Sequence, residues 1–285
     1  MVGAGADELI DLILRLMIVP GRADTVVNFP PTFGMYKFDA DVNGASVISI
    51  TRKGDFSIDV DAVERLFDGH HGNGVDKSGK ALPKVVFVTS PNNPDGSTIS
   101  DAMLKRLLAL PTLIVLDEAY FEFCNQNRIS WVKDYNNLIV LRTLSKWAGL
   151  AGMRVGYGAF PLPIIKHLWK MKQPYNVSVA SQTAAIASVK DKADLLGKVE
   201  KMKRQRGLFY ERIKGMEYLD PYPSQSNFVL CRVRSGRKAV EIKGRLAERG
   251  ILIRYYTSKG LEDCVRFSMG TDDQMEKLYR ALKEL

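Results

Sequence analysis

Cysteine is scarce: Cys124, Cys231 and Cys264 are the only three in 285 residues, and no two stand at C-x-x-C spacing. A disulfide framework and a zinc knuckle are therefore excluded as organising devices, and a reducing compartment is expected. Histidine is as rare. His70, His71 and His167 lie at no metal-ligand spacing from a cysteine or from one another, so no metal site is expected. No apolar run approaches the ~18 residues of a membrane span, and no membrane partner is expected. Dense basic runs and basic tails are missing too. The chain is basic all the same, with 41 Lys and Arg against 32 Asp and Glu and a net charge of +9, but these residues are spread along it. That pattern describes a generally positive surface first and an anionic small substrate second, and no nucleic-acid partner is expected. Asp7, Glu8 and Asp11 precede the first basic residue, which is not the charge order of a signal or transit peptide. Internal repeats are absent.

What is present is an ordinary globular composition, 46% hydrophobic and 26% charged, with length enough to bury a substantial core. At roughly 150 residues per domain the length suggests about two domains. Leu9, Ile10, Ile13, Leu14, Leu16 and Met17 recur at helical spacing until Pro20-Gly21. Strands are expected at 25–29, 46–50, 84–89, 112–116 and 138–141, with helices near 59–67 and 101–110. The last three strand runs are apolar on both faces, as in a parallel sheet covered by helices. This alternation predicts an α/β fold with a doubly wound, mostly parallel sheet. Further on, helices are expected over 161–172, 178–189 and 193–214. A strand at 227–233, a helix near 237–249, strands at 251–256 and 265–268 and a last helix over 272–285 follow. That order suggests a smaller α+β C-terminal domain. The boundary is set near residue 190, giving a large domain 1–190 and a small one 191–285. The stretch 68–83, rich in Gly, His and Lys, is expected to be a surface insertion.

Four segments carry chemistry. In the first, Leu141-Arg-Thr-Leu-Ser-Lys146-Trp-Ala-Gly-Leu-Ala-Gly-Met-Arg154, a lysine follows a buried strand among small and apolar residues. Desolvation lowers a lysine's pKa and favours the neutral amine that a Schiff base needs. Arg154, Thr143 and Ser145 beside it make a phosphate cradle with a reactive amine at the rim; a solvated strand end is the other reading of Lys146. The second segment, Leu113-Ile-Val-Leu-Asp117-Glu-Ala-Tyr120, ends a fully apolar strand with an acid. In open α/β sheets ligands bind beyond such ends. A buried carboxylate there needs a cation, unless Asp117 simply caps the following turn. The third, Thr89-Ser-Pro-Asn92-Asn93-Pro94-Asp-Gly96, is a rigid turn that displays Asn amides or a plain strand-to-helix turn. The fourth, Gly3-Ala-Gly5-Ala6-Asp7-Glu8, opens a helix and offers free N–H groups to an anion, or is simple capping.

In this order, the Gly-rich helix start, PNNPDG, DEAY, SK and R-x-G-Y resemble the fold-type I pyridoxal-phosphate enzymes, within them the class I/II aminotransferases. Pro30-Pro-Thr-Phe33-Gly-Met-Tyr36, Asp117-Glu-Ala-Tyr-Phe-Glu-Phe123, Lys172-Gln-Pro-Tyr-Asn176 and Val265-Arg266-Phe-Ser-Met-Gly270 bring the chain closer to the histidinol-phosphate aminotransferases. The segments around Lys146 and Tyr175 look more like plant forms than bacterial ones. The resemblance runs from residue 1 to the C-terminus and is weakest over 68–83.

That resemblance implies a fold-type I transferase with pyridoxal 5'-phosphate as cofactor. Lys146 would be the Schiff-base lysine and the acid–base group, with Asp117 on the pyridine nitrogen. Tyr120 and Asn93 would meet the phenolic oxygen and Phe33 the ring face. Backbone N–H groups of Ala6 and Asp7, the hydroxyls of Thr143 and Ser145, and Arg154 would hold the cofactor phosphate. Arg266 would bind the carboxylate of glutamate or 2-oxoglutarate and, with Arg254, the phosphate of histidinol phosphate. Asn227 stands where the family has an Asn next to the active site, and packing is an equal reading of it. The expected activity is transamination between histidinol phosphate and 2-oxoglutarate, in histidine biosynthesis, by a homodimer. Alternatives are an aminotransferase for aromatic amino acids, a decarboxylase of phosphorylated substrates, and an inactive homologue kept for binding or dimer formation. Family members carry a segment ahead of the Gly-rich helix, with an arm over the substrate and a Tyr that reaches the neighbouring subunit. This chain begins almost at that helix and is expected to be an N-terminally truncated form. It is also expected to be soluble, in the plastid if a full-length plant protein and otherwise in the cytoplasm.

Overall fold

The computed structural model describes residues 1–68, 74–75 and 81–285. Most of the expected surface insertion, 69–73 and 76–80, lies outside the described residues. Among the described residues the strands fall into two sheets. The first joins β1 (Val2–Ala4), β2 (Thr25–Asn28), β3 (Ser46–Ser49), β4 (Val85–Thr89), β5 (Leu113–Asp117), β6 (Leu138–Thr143) and β7 (Val155–Ala159) in the order β1-β7-β6-β5-β4-β2-β3. Strands β2 to β6 run parallel, and β7 runs antiparallel to both β1 and β6.

Every residue of β4, β5 and β6 is buried, as expected of central strands covered on both faces. The period-2 alternation of side chains splits each strand between two cores. Val85, Phe87, Val115 and Ile139 pack with α1 (Gly5–Met17), α2 (Met35–Val42) and α5 (Leu162–Met171) through Leu9, Ile13, Tyr36 and Leu168. Val86, Val88, Ile114 and Leu116 pack on the opposite face with α3 (Val60–Arg65) and α4 (Asp101–Leu108), through Val63, Leu104 and Leu107. The result is the doubly wound layer that the apolar runs predict.

The second sheet is antiparallel, with β8 (Leu219–Pro221), β9 (Phe228–Val233), β10 (Arg254–Tyr255) and β11 (Cys264–Ser268) in the order β10-β11-β9-β8. After α6 (Val179–Lys190), the helices α7 (Lys192–Lys214), α8 (Ala239–Glu248) and α9 (Asp272–Lys283) cover it through Phe209, Ile213, Ile242, Leu246, Leu278 and Leu282. Asp191 separates α6 from α7. The strand expected over 251–256 shrinks to two residues, because the Ile251 N–H closes the end of α8 on the Leu246 carbonyl. Elements α2, β7 and β8 have no counterpart in the sequence-based expectations. The two layers meet where the edge of one aromatic ring faces the other between Tyr120 and Phe228, at 5.3 Å. Arg206 Nη1 also bridges the carbonyls of Phe123 (3.1 Å) and Ser226 (2.7 Å).

Candidate active site

The C-terminal ends of β4, β5 and β6 and the first turn of α1 face one cavity. Ala6, Asp7, Phe33, Asn93, Asp117, Tyr120, Thr143, Ser145, Lys146 and Arg154 all line it. In parallel sheets the strand ends splay at such a point, and loops from several strands converge there.

Asp117 ends β5 with 4% of its surface exposed. Its Oδ1 accepts the Ala119 N–H at 2.9 Å and its Oδ2 accepts the Tyr36 hydroxyl at 2.6 Å. The carboxyl thus caps the next turn and faces the cavity as well. Burial raises its pKa, against the lowering effects of the Tyr36 and Ala119 hydrogen bonds and the Lys146 charge. Lys146 lies just beyond β6, its Nζ 5.4 Å from the centre of the Tyr120 ring. It remains open to solvent. Partial desolvation and then the Arg266 charge lower its pKa, with Asp117 pulling the other way. Burial pushes the Tyr120 hydroxyl up to about 12, which keeps it a donor.

The end of the cavity at the start of α1 is shaped by backbone. Gly5 sits at φ +81° and donates its N–H to the Arg154 carbonyl at 3.0 Å. A Cβ on Gly156 in β7 would fall 2.3 Å from the Ala6 nitrogen, so only glycine lets that strand lie against the start of α1. Thr143 Oγ1 accepts the Ser145 N–H at 3.1 Å and donates to Ser145 Oγ at 2.9 Å, which holds both hydroxyls beside the helix start. Arg154, itself left-handed at φ 51°, pairs with the Asp7 carboxylate at 2.6 Å.

Arg266 and Arg254 stand outside the lining. They are register partners across β11 and β10, and Arg254 is exposed. Arg266 reaches inward to donate to Asn93 Oδ1, and its guanidinium lies 4.4 Å above the Phe228 ring. Asn227 contributes its backbone carbonyl to the Met269 N–H. Asp95 lies under the PNNPDG turn, accepting the Ser97 N–H at 2.7 Å. Sequence reasoning missed Tyr36 and Thr89, and it missed the buried pair of Glu118 with Arg142 at 2.6 Å behind the cavity. An apolar helix face holding one tyrosine carries no signal for which acid its hydroxyl will meet.

The family model for aminotransferase class I and II matches residues 1–282. The chain is 50% identical over 284 residues to the chloroplastic histidinol-phosphate aminotransferase of Nicotiana plumbaginifolia, covering 99% of this chain and 66% of that relative. The likeness expected to plant forms is thus found. Among solved structures, the histidinol-phosphate aminotransferase of Clostridium acetobutylicum matches with a TM-score of 0.87 at 26% identity, covering 100% of this chain and 82% of that one. The Sinorhizobium meliloti histidinol-phosphate aminotransferase in complex with pyridoxal-5'-phosphate matches with a TM-score of 0.83 at 29% identity, over 99% and 75%. This chain belongs to the aminotransferase class I and II family.

Proposed function

We propose that this chain forms the core of a pyridoxal 5'-phosphate-dependent transaminase that exchanges an amino group between histidinol phosphate and 2-oxoglutarate, giving imidazole-acetol phosphate and glutamate. The carrying observation is one cavity with an amine on its rim, a buried carboxyl at its floor and an anion cradle at its end. The cradle fits the cofactor's phosphate: Gly156 leaves no room for a Cβ beside the first N–H groups of α1, Gly5 takes a left-handed φ there, and two hydroxyls are held next to them. Histidinol phosphate is supported by the names of the relatives, and by the two arginines paired across β10 and β11.

Lys146 would hold the cofactor covalently. Asp117 would face the ring nitrogen, Tyr120 and Asn93 the phenolic oxygen, and Phe33 the ring. Ala6, Asp7, Thr143, Ser145 and Arg154 would hold the phosphate. When bound, the cofactor supplies an electron sink conjugated to the substrate's amine. Lys146 Nζ, once freed by the substrate's amine and with its lowered pKa, would take the proton from the substrate's α-carbon and give it up on the cofactor's side, as general base and then acid. Asp117 stabilises positive charge opposite its buried carboxyl, and Arg266 orients the substrate carboxylate. Arg254 and Arg266 together would take the phosphate of histidinol phosphate.

The division into domains 1–190 and 191–285 belongs to this reading and is supported by the two separate sheets. A homodimer is supported by large apolar side chains left exposed on α5 and α6, including Leu162, Trp169, Val179 and Ile186. The three cysteines are free and buried, which suits a reducing compartment. A plastid is supported by the chloroplastic relatives. Among the described residues no helix is long and apolar enough to cross a membrane.

Borohydride reduction of the protein mixed with pyridoxal 5'-phosphate, followed by peptide mapping, should place the label on Lys146. The yellow absorbance should vanish in Lys146→Ala, and histidinol phosphate should outcompete phenylalanine as amino donor. A label elsewhere, or a wild-type protein that stays colourless, overturns the cofactor assignment. A coloured protein that prefers phenylalanine overturns the substrate assignment alone.

A further inference from the structure

Tyr36 is 1% exposed, on the face of α2 turned to the sheet. Its ring stacks on Phe87 of β4 at 4.9 Å and 10°, and Phe33 meets it edge-on at 5.6 Å. That packing fixes where the hydroxyl goes. It lies 2.6 Å from Asp117 Oδ2 and 2.9 Å from Thr89 Oγ1. Thr89 in turn lies 3.1 Å from Thr32 Oγ1, and Thr32 donates to Asn92 Oδ1 at 2.8 Å. A row of hydroxyls therefore runs from the PNNPDG turn to the floor of the cavity.

Proton counting ties the donations at Tyr36 and Thr89 to the charge on Asp117. An ionised Asp117 only accepts, so the single proton of Tyr36 goes to it. Thr89 must then donate to the Tyr36 oxygen, and with Thr32 donating to Asn92 no proton is left between Thr89 and Thr32, so the row is continuous in contact and divided in donation there. A protonated Asp117 donating to Tyr36 would require the Tyr36 and Thr89 hydroxyls to turn the other way. The Ala119 N–H on Oδ1 and the nearby Lys146 ammonium favour the ionised carboxyl, and the Asp7 carboxylate opposes it. Arg52, whose charge acts on Tyr36, and Asp95, which accepts from the Asn92 amide, also face this row. A hydrogen bond to a charged acceptor is roughly twice as strong as one between neutral groups, and of the groups that oppose burial here the phenol weighs most.

We propose that Tyr36, with Thr89 behind it, is a positioning residue: its hydroxyl donates to Asp117 Oδ2 and keeps that carboxyl ionised and fixed in orientation at the floor of the cavity. The consequence for the cofactor's ring nitrogen rests on the function proposed above; the state of the carboxyl itself does not. Without this donor, burial decides, and a neutral acid cannot hold a protonated ring nitrogen.

Tyr36→Phe keeps the ring stack and removes only the O–H. Carbon-13 NMR of aspartate-labelled, cofactor-free protein, with the Asp117 signal identified by its loss in Asp117→Asn, reads the carboxyl directly. The expected result is a titration midpoint raised by at least one pH unit, a tenfold gain in proton affinity. Thr89→Val should shift it the same way by less, and it serves if Tyr36→Phe fails to fold. With pyridoxal 5'-phosphate added, the nitrogen-15 shift of labelled cofactor should move toward the unprotonated ring, and kcat should fall about tenfold with little change in KM. An Asp117 midpoint that stays put in folded Tyr36→Phe, or in Thr89→Val where Tyr36→Phe does not fold, overturns the proposal. A wild-type protein that takes up no cofactor overturns the functional reading instead, while the carboxyl titration still decides whether Tyr36 acts on Asp117.

Discussion

At the scale of single residues, space and charge make opposite demands. Gly156 is needed because there is no room: its Cβ would meet backbone atoms of Gly5 and Ala6 at 2.3 to 2.8 Å, and backbone cannot swing aside as a side chain can. Gly156→Ala is expected to weaken pyridoxal 5'-phosphate binding by at least tenfold, measured by absorbance titration. Gly152→Ala, at a site with open space, is expected to leave binding unchanged. Glu118 and Arg142 are needed because each neutralises the other; their side chains are 1% and 6% exposed. Removing one partner of such a pair strands a buried charge and costs about 3–5 kcal/mol. Arg142→Ala should show that loss in urea denaturation, and a loss under about 1 kcal/mol would mean that water reaches Glu118 freely. Lys146, Asp117 and the Thr143–Ser145 pair were legible in the sequence because each follows an apolar strand, and strand ends of a parallel sheet converge. Tyr36 was not, because its partner lies 81 residues away and only the packing of α2 brings them together.

At the scale of elements, legibility follows the strength of the local signal. Strands β4, β5 and β6 stood out because burial on both faces leaves no polar position. Strand β7, Val-Gly-Tyr-Gly-Ala, carries two glycines, which weaken any strand signal; here they serve close approach to α1 and to Leu141 and Phe160. Strand β8 ends in a proline, and among the described residues β9 is its one strand partner. Helix α2 begins at Gly34 with no side-chain cap, so no start signal announces it. Helix α9 is the opposite case. Thr271 and Gln274 form a reciprocal capping box, and the apolar residues Met275, Leu278 and Leu282 recur on one face. Thr271→Ala should cost about 1 kcal/mol of stability. Denaturant unfolding measures this, and a value near zero would show that packing alone fixes the start of the helix.

At the scale of the whole molecule, two kinds of carboxylate set opposite pH trends. Asp61, Glu64 and Glu276 hold surface ion pairs with Arg106 and Arg212, and their pKa values are lowered. Their contribution is present above the ordinary carboxylate range and is lost as pH falls through it. Glu122 behaves the other way. It is largely sequestered beside the Glu118–Arg142 pair, one of its oxygens has no hydrogen-bond partner among the described residues, and burial pushes it up to about 8. Asp39, near Asp11 and Asp7, is pushed up to about 6 for the same first reason. Between the ordinary value of 4.5 and about 8 the folded chain keeps a proton on Glu122 that the unfolded chain has released. The folded state binds more protons there, so this part of the stability is full below that window and drains away as pH rises through it. Lys146, with its lowered pKa, adds a gain only on the alkaline side. The two carboxylate groups together place the stability maximum near pH 5, with a decline toward pH 8. Scanning calorimetry from about pH 4 to 9 should show that decline in Tm, and Glu122→Gln should flatten it by removing the titrating carboxyl while keeping its shape. Wild-type and variant curves that stay parallel between pH 5 and 8 would place the proton uptake elsewhere.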